Sequence, residues 1–244
     1  MTSSPRLLYR AVRSRLKRIP RALRTLTLRL LDRFKLNDLD RIYTEQMFVE
    51  RTLDGPWRDE IEHVCAVIWS QLKPASVADI GCGPGVYLAS FKALGVPHIL
   101  GIEGSANALR LAVVSEIVQH DLREPFTPPR RYDLVLCVEV AEHLHKKYAR
   151  RLVETVAELC EPRGSVVFTA SPPGHDGVHH VNLQAREFWI ELFRERGFEH
   201  SNVVLDAVRE RLTLKRIPWV KRNLMIFRRP EIGGADGPPA MPGR

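Results

Sequence analysis

The stretch EVAEHLH, Glu139 to His145, places two carboxylates and two imidazoles within seven residues, directly after the apolar run YDLVLCV. Groups of these types can activate a weak nucleophile such as an alcohol, by taking its proton or by holding a cation that lowers its pKa. If a helix starts near Val140, then Glu139, Glu142 and His143 fall at i, i+3 and i+4 and project to one side, with His145 pointing elsewhere. Carboxylates favoured by the dipole of a helix start, with His143 as packing, would give the same letters without chemistry. A second concentration of such groups, SPPGHDGVHHVNLQ, holds His175, Asp176, His179 and His180. Its plain alternative is a solvated histidine cluster.

The elements that must position these residues alternate between about residues 60 and 228. Strands are expected at Val77–Ile80, His98–Glu103, Glu116–Val118, Asp133–Val138, Ser165–Ala170, Asn202–Asp206 and Leu224–Phe227, separated by helical patterns from Ile61–Leu72 to Arg186–Arg196. This alternation predicts an α/β fold, a doubly wound parallel sheet of seven strands. Such a sheet receives its ligand outside the carboxyl ends of its strands, which is where EVAEHLH lies. Two segments, 171–184 and 207–222, read as irregular, and loops of that length are usually functional or mobile.

In VADIGCGPGVYLASF, Gly81, Gly83 and Gly85 separate the first strand from a helix, where a close ligand needs backbone without Cβ. The spacing is GxGxG rather than the GxGxxG of a dinucleotide site, and Asp79 stands two residues before the first glycine. The turn alone leaves a nicotinamide-type site open. With its acid, it resembles the first motif of the class I S-adenosylmethionine-dependent methyltransferases, and the resemblance covers residues 60–228. It implies a Rossmann-like seven-stranded fold and a cofactor held by Asp79, Gly81, Cys82, Gly83 and Gly85. It further implies that Glu103 in GIEGS, beside Gly104, accepts hydrogen bonds from both ribose hydroxyls, as an ionised carboxylate can. Asp121 would receive the adenine amino group, Leu122 would pack beside it, and Val138 with Cys137 and Glu139 would approach the methionine portion of S-adenosyl-L-methionine.

The ExxEH arrangement of Glu139, Glu142 and His143 resembles that of small-RNA 3′-end 2′-O-methyltransferases, and related quinone-precursor O-methyltransferases carry a similar motif. The resemblance implies a divalent-metal site of Glu139, Glu142 and His143 with one later histidine, His179 or His180, His175 and Asp176 being weaker choices. Two carboxylates with imidazole favour Mg²⁺ or Mn²⁺, and Zn²⁺ fits the types as well. Two alternatives stand beside the metal: a metal-free His143 base, and a structural role. Glu139 and His143 are the expected catalytic residues. SPPG, Ser171 to Gly174, lacks the aromatic residue of the amino-group DNA methyltransferase motif and follows the fifth strand rather than the fourth.

The charge is uneven. Of a net +8, residues 1–35 carry +10, from eleven Arg or Lys against one acid, Asp32, and the remainder is at −2. A near-neutral body counts against a nucleic-acid enzyme, which places basic charge around its cleft. The arm alternates Arg with Leu and is broken at Pro20; its plain reading is a helix docked by its leucines with the arginines in water, and three others compete: peripheral contact with an anionic membrane, a targeting peptide, or a helical cap over the site of its own subunit or of a homodimer partner. No apolar run approaches the ~20 residues that span a bilayer. The four cysteines have no metal-ligand spacing and read as reduced core residues of a cytoplasmic protein. The expected layout is a basic helical arm or cap over 1–59, the cofactor-binding domain over 60–228 and a disordered Gly/Pro-rich tail over 229–244.

A cation suits an acceptor with adjacent hydroxyls, because it can chelate both oxygens and activate one. The expected function is therefore O-methylation of a sugar or oligosaccharide, in the manner of the mycobacterial methylmannose oligosaccharide O-methyltransferases that the chain resembles. An RNA 3′ end and a lipid or quinone at a membrane surface are the alternatives. A cofactor-binding module without chemistry is disfavoured by the intact acids.

Overall fold

The computed structural model describes residues 21–230 apart from 37, 54–55 and 176. The basic run before Arg21, the tail after Pro230 and Asp176 lie outside the described residues.

The chain opens with α1 (Arg21–Arg33), two single turns α2 (Leu39–Ile42) and α3 (Glu45–Phe48), and a π-helical turn at Val49–Leu53. Both short helices start on side-chain caps, the Asp38 carboxylate accepting from the Asp40 N–H and the Thr44 hydroxyl from the Met47 N–H. Then follow α4 (Pro56–Leu72), β1 (Ser76–Ile80), α5 (Val86–Ala93), β2 (His98–Glu103), α6 (Ala106–Arg110), β3 (Ile117–Gln119) and β4 (Tyr132–Val138). After two 3-10 turns come α7 (Ala149–Leu159), β5 (Cys160–Thr169), α8 (Arg186–Arg194), β6 (Glu199–His200), α9 (Asn202–Arg211), α10 (Pro218–Asn223) and β7 (Met225–Arg228).

The sheet order is β3-β2-β1-β4-β5-β7-β6. β1 is buried along its whole length, as a strand covered on both faces must be. One core layer packs α7 and α8 on the sheet through Leu152, Val156, Trp189 and Phe193, and the other packs α4, α5 and α9 through Ile68, Leu88, Phe91 and Val208. The sheet has the expected seven strands but is mixed rather than wholly parallel, because β7 runs antiparallel between β5 and β6.

Three local expectations are corrected. Asn202–Asp206 is not a strand but the start of α9: Leu205 and Val208 are buried one turn apart, Val203 faces solvent, and the Leu205 N–H bonds back to the Ser201 carbonyl. A short apolar run carries no period long enough to separate the two states. The segment 207–222 holds the rest of α9 and all but the last residue of α10, which opens on Pro218. The helix expected from Val140 is one 3-10 turn, Ala141–His143. Glu139 leaves β4 at φ +55, and its N–H is drawn to Thr169, 2.8 Å from the hydroxyl and 3.2 Å from the carbonyl. The strand end is thereby turned aside before a helix can continue it.

Candidate active site

A cavity of about 820 Å³ opens at the carboxyl ends of the strands, walled by Gly81 after β1, Glu103 and Gly104 at the end of β2, and Asp121 and Leu122 after β3. Glu139, Glu142 and His143 after β4, with Ser171 after β5, complete the wall over the sheet. Gly81, Gly83 and Gly85 all take positive φ, at 68°, 55° and 86°. A Cβ on Gly81 would stand 2.5 Å from Val140 Cγ2, so the glycine turn is pressed against the turn that carries the chemistry. Glu103 accepts from the Gly83 N–H at 2.9 Å and the Ser105 N–H at 2.7 Å. A carboxylate has about four lone-pair directions, so two backbone bonds fix it and leave it able to accept from two hydroxyls. Burial raises its pKa, against the pull of those backbone bonds.

Asp79, Cys82, Gly85 and Val138 lie outside the cavity wall. Asp79 sits beneath the glycine turn, buried, with Oδ2 lacking any hydrogen-bond partner, and burial followed by the Glu103 charge pushes its pKa well up. Cys82 is buried with its sulfur against Gly101. Asp121 lines the cavity but faces Arg123, whose Nε lies 2.9 and 3.1 Å from its oxygens and whose Nη2 lies 2.9 Å from Oδ2. Burial raises the Asp121 pKa, but the Arg123 guanidinium outweighs it and holds the carboxyl below its ordinary range.

Glu142, His143 and His180 converge, with one ligand-type atom from each lying within 4.8 Å of the others. The His143 Nδ1 meets the His179 carbonyl at 3.2 Å and the His180 Nδ1 meets the His175 carbonyl at 3.1 Å. A carbonyl only accepts, so both Nδ1 atoms carry the proton and both Nε2 lone pairs are left for other work. Burial, then the imidazoles of His180 and His179, push the His143 pKa down to about 3, and burial lowers His180 as well. Glu142 is buried beside the Glu139 side chain and the Ser171 backbone with neither oxygen at hydrogen-bond geometry, and burial followed by the Glu139 charge drives its pKa far up. Two residues expected among the ligands fall outside this group. Glu139 lines the cavity but is aimed toward Asn223, whose Nδ2 donates to Oε1 at 3.0 Å. His179, at φ +61, contributes its carbonyl, and its ring stacks on His143 with centroids 6.4 Å apart. His175 also lines the cavity and contributes its carbonyl to His180.

The rest of the wall comes from the N-terminal segment, for which a cap over the site was one of the readings, and from the segment around Trp219, neither of which had its site residues singled out from the sequence. Tyr43 sets its ring edge-on to His143 at 5.7 Å, and its pKa is raised by burial and then by Glu103. Its segment is stitched beside Glu103, since Asp40 Oδ1 accepts from the Ser105 hydroxyl at 2.8 Å and Asn107 Nδ2 donates to the Tyr43 carbonyl at 2.8 Å. Trp57 and Trp219 meet edge to face at 5.3 Å, and Arg51 and Arg222 line the cavity near them. From α1, Asp32 lines the cavity, pairs with Arg123 Nη1 at 3.2 Å and accepts from the His145 N–H.

A family model described as a methyltransferase domain matches residues 16–207. The ubiquinone biosynthesis O-methyltransferase of Paraburkholderia phytofirmans is 34% identical over 109 residues, 41% of this chain and 46% of that protein. The chain thus spans about half the length of the curated relatives it matches. Among solved structures, the S-adenosylmethionine-bound amino pentose methyltransferase CalS10 of Micromonospora echinaspora superposes with a TM-score of 0.58 at 19% identity, over 77% of this chain and 98% of that one. The sugar N-methyltransferase KedS8 of Streptoalloteichus superposes at 0.55 with 19% identity, over 70% and 87%. At such identities the structural likeness speaks for the fold.

Proposed function

The chain belongs to the methyltransferase domain family, within the class I S-adenosylmethionine-dependent group, and from that premise we propose that it methylates a hydroxyl of a small acceptor bearing adjacent oxygens, with a divalent cation at Glu142, His143 and His180. The observation that carries the reading is the Glu142 carboxylate, buried with both oxygens unpartnered beside two imidazoles whose Nε2 lone pairs are free for a ligand. A buried carboxylate without a partner is costly, and a cation would relieve the cost.

The residues fit the cofactor. A Cβ would fill the space at Gly81, Glu103 retains acceptor capacity, and the Asp79 Oδ2 is unpartnered beneath the turn. When bound, S-adenosylmethionine supplies an electrophilic methyl group on a sulfonium. Glu103 would hold the ribose hydroxyls and Leu122 the adenine face, while Asp121, already committed to Arg123, would shape that end of the cavity. The donor set fits a cation with one correction to the expected metal: one carboxylate and two imidazoles suit Mn²⁺ or Zn²⁺ better than the oxygen-preferring Mg²⁺. A cation there lowers the pKa of a bound hydroxyl. His143 and His180, kept neutral by burial, are in the form that ligates. Glu139, beside Glu142 and accepting from Asn223 Nδ2, stands at the cavity wall where it can accept the proton a bound hydroxyl loses.

A saccharide with a vicinal diol satisfies this reading. A dihydroxy aromatic ring of the quinone-precursor type does too, and two observations favour it: the aromatic and apolar wall of Phe48, Met47, Trp57 and Trp219, and the curated relatives named for ubiquinone biosynthesis. An RNA 3′ end is disfavoured by the near-neutral chain beyond the arm.

Direct Mn²⁺ binding tests the site without turnover. Calorimetry or electron paramagnetic resonance is expected to find one tightly bound ion, weakened at least about tenfold in Glu142→Gln and His180→Ala, with cofactor affinity kept. Unchanged Mn²⁺ binding in both variants would remove the cation from the site.

A further inference from the structure

We propose that the outward face of α1 is a docking surface for an anionic lipid bilayer. At 100° per residue, Leu23, Leu26, Leu30 and Phe34 fall within one narrow stripe on the helix and its end, and Asp32 falls opposite. The exposures follow this geometry. Asp32 is 1% exposed, whereas Leu23, Leu26, Leu30, Phe34 and the following Leu36 are 48% to 71% exposed. An apolar stripe thus faces outward where a surface helix usually presents polar residues, with Thr27 and Arg33 exposed at its margins.

The helix is held in this orientation by its inner side. Asp32 pairs with Arg123 and accepts from the His145 N–H, Arg29 Nε donates to the Val181 carbonyl at 3.0 Å, and the Tyr148 hydroxyl donates to the Arg33 carbonyl at 3.1 Å. The apolar stripe is therefore a property of the folded chain. Cations flank it, with Arg33 and Lys147 at 5.8 and 6.0 Å from the Phe34 ring centroid.

Charge selects the occupant. Residues 1–35 carry +10 and the rest of the chain −2, so two copies joined through this stripe would bring like charge to like. A nucleic acid would satisfy the cations but leave five large apolar side chains without a partner. An anionic bilayer meets both demands, with leucines in the headgroup boundary and arginines at lipid phosphates. No helix among the described residues is long and apolar enough to cross a membrane, so the contact is peripheral. Asp32 also lines the cavity, which places its wall about one helix diameter, roughly 10 Å, from the docked surface.

The test is flotation of the full chain with vesicles of phosphatidylcholine alone and with roughly a third phosphatidylglycerol. Binding is expected to be at least about tenfold stronger to the anionic vesicles and to fall as salt rises from about 0.1 to about 0.5 M. Leu26→Glu with Leu30→Glu, on side chains outside the cavity, is expected to reduce it at least about tenfold with an unchanged melting temperature. Should that variant fail to fold, the lipid and salt dependence of the unmodified chain decides. Absence of binding, equal binding to both vesicles, or a dimer dispersed by the variant without any vesicle binding would overturn the proposal.

Discussion

Gly81 concentrates what a single residue decides here. Its φ of +68° and the 2.5 Å approach of Val140 to its missing Cβ mean that Gly81→Ala is strained in backbone and in packing. The expected cost is about 1–3 kcal/mol of stability, read by denaturant unfolding, together with weakened S-adenosylmethionine binding in calorimetry. Wild-type stability and affinity in that variant would show that the turn tolerates a side chain and is not the cradle. This much was legible in the sequence because a positive φ and a close approach are local demands that glycine meets. The ligand set was legible only in type. Glu139, Glu142 and His143 have helical spacing, but the 3-10 turn breaks the shared face and leaves Glu139 with Asn223. The choice between His179 and His180 rests on a backbone flip at His179. Neither spacing nor residue type encodes that flip.

At the scale of elements, α1 is bound to the sheet domain by a charge pair that water does not reach. Arg123 and Asp32 side chains are 6% and 1% exposed. Arg123→Met takes the cation away from a buried carboxylate that also accepts from the His145 N–H, and is expected to destabilise the chain by about 3–5 kcal/mol. Breaking Arg194–Glu191, an exposed i,i+3 pair on α8, is expected to change little. Comparison of denaturation midpoints checks both, and equal shifts would mean that the Asp32 contact carries no particular weight. The strands β1, β2 and β4 were legible because strands covered on both faces read as continuous apolar runs. β6 and α9 were not. β6 is two residues long, and the run after it is too short to show a period.

The whole molecule closes its cavity with parts that lie far apart in the chain. Asp32, Tyr43 and Trp57 arrive from the N-terminal side, Trp219 and Arg222 from the C-terminal side, and the sheet between them supplies the floor. Contacts such as Asp32 with His145, 113 residues apart, have no signature in local pattern. Cofactor class could therefore be read from motifs, whereas the aromatic wall that faces the acceptor could not. The most direct measurement is transfer of labelled methyl from S-adenosylmethionine to a panel of sugars, dihydroxy aromatics and short RNAs, in EDTA and with added Mn²⁺. The expected result is transfer to acceptors with adjacent hydroxyls that Mn²⁺ restores at least about a hundredfold over EDTA, and none to acceptors lacking one of the two oxygens. Equal transfer in EDTA, or transfer indifferent to the second hydroxyl, would contradict the cation at Glu142, His143 and His180.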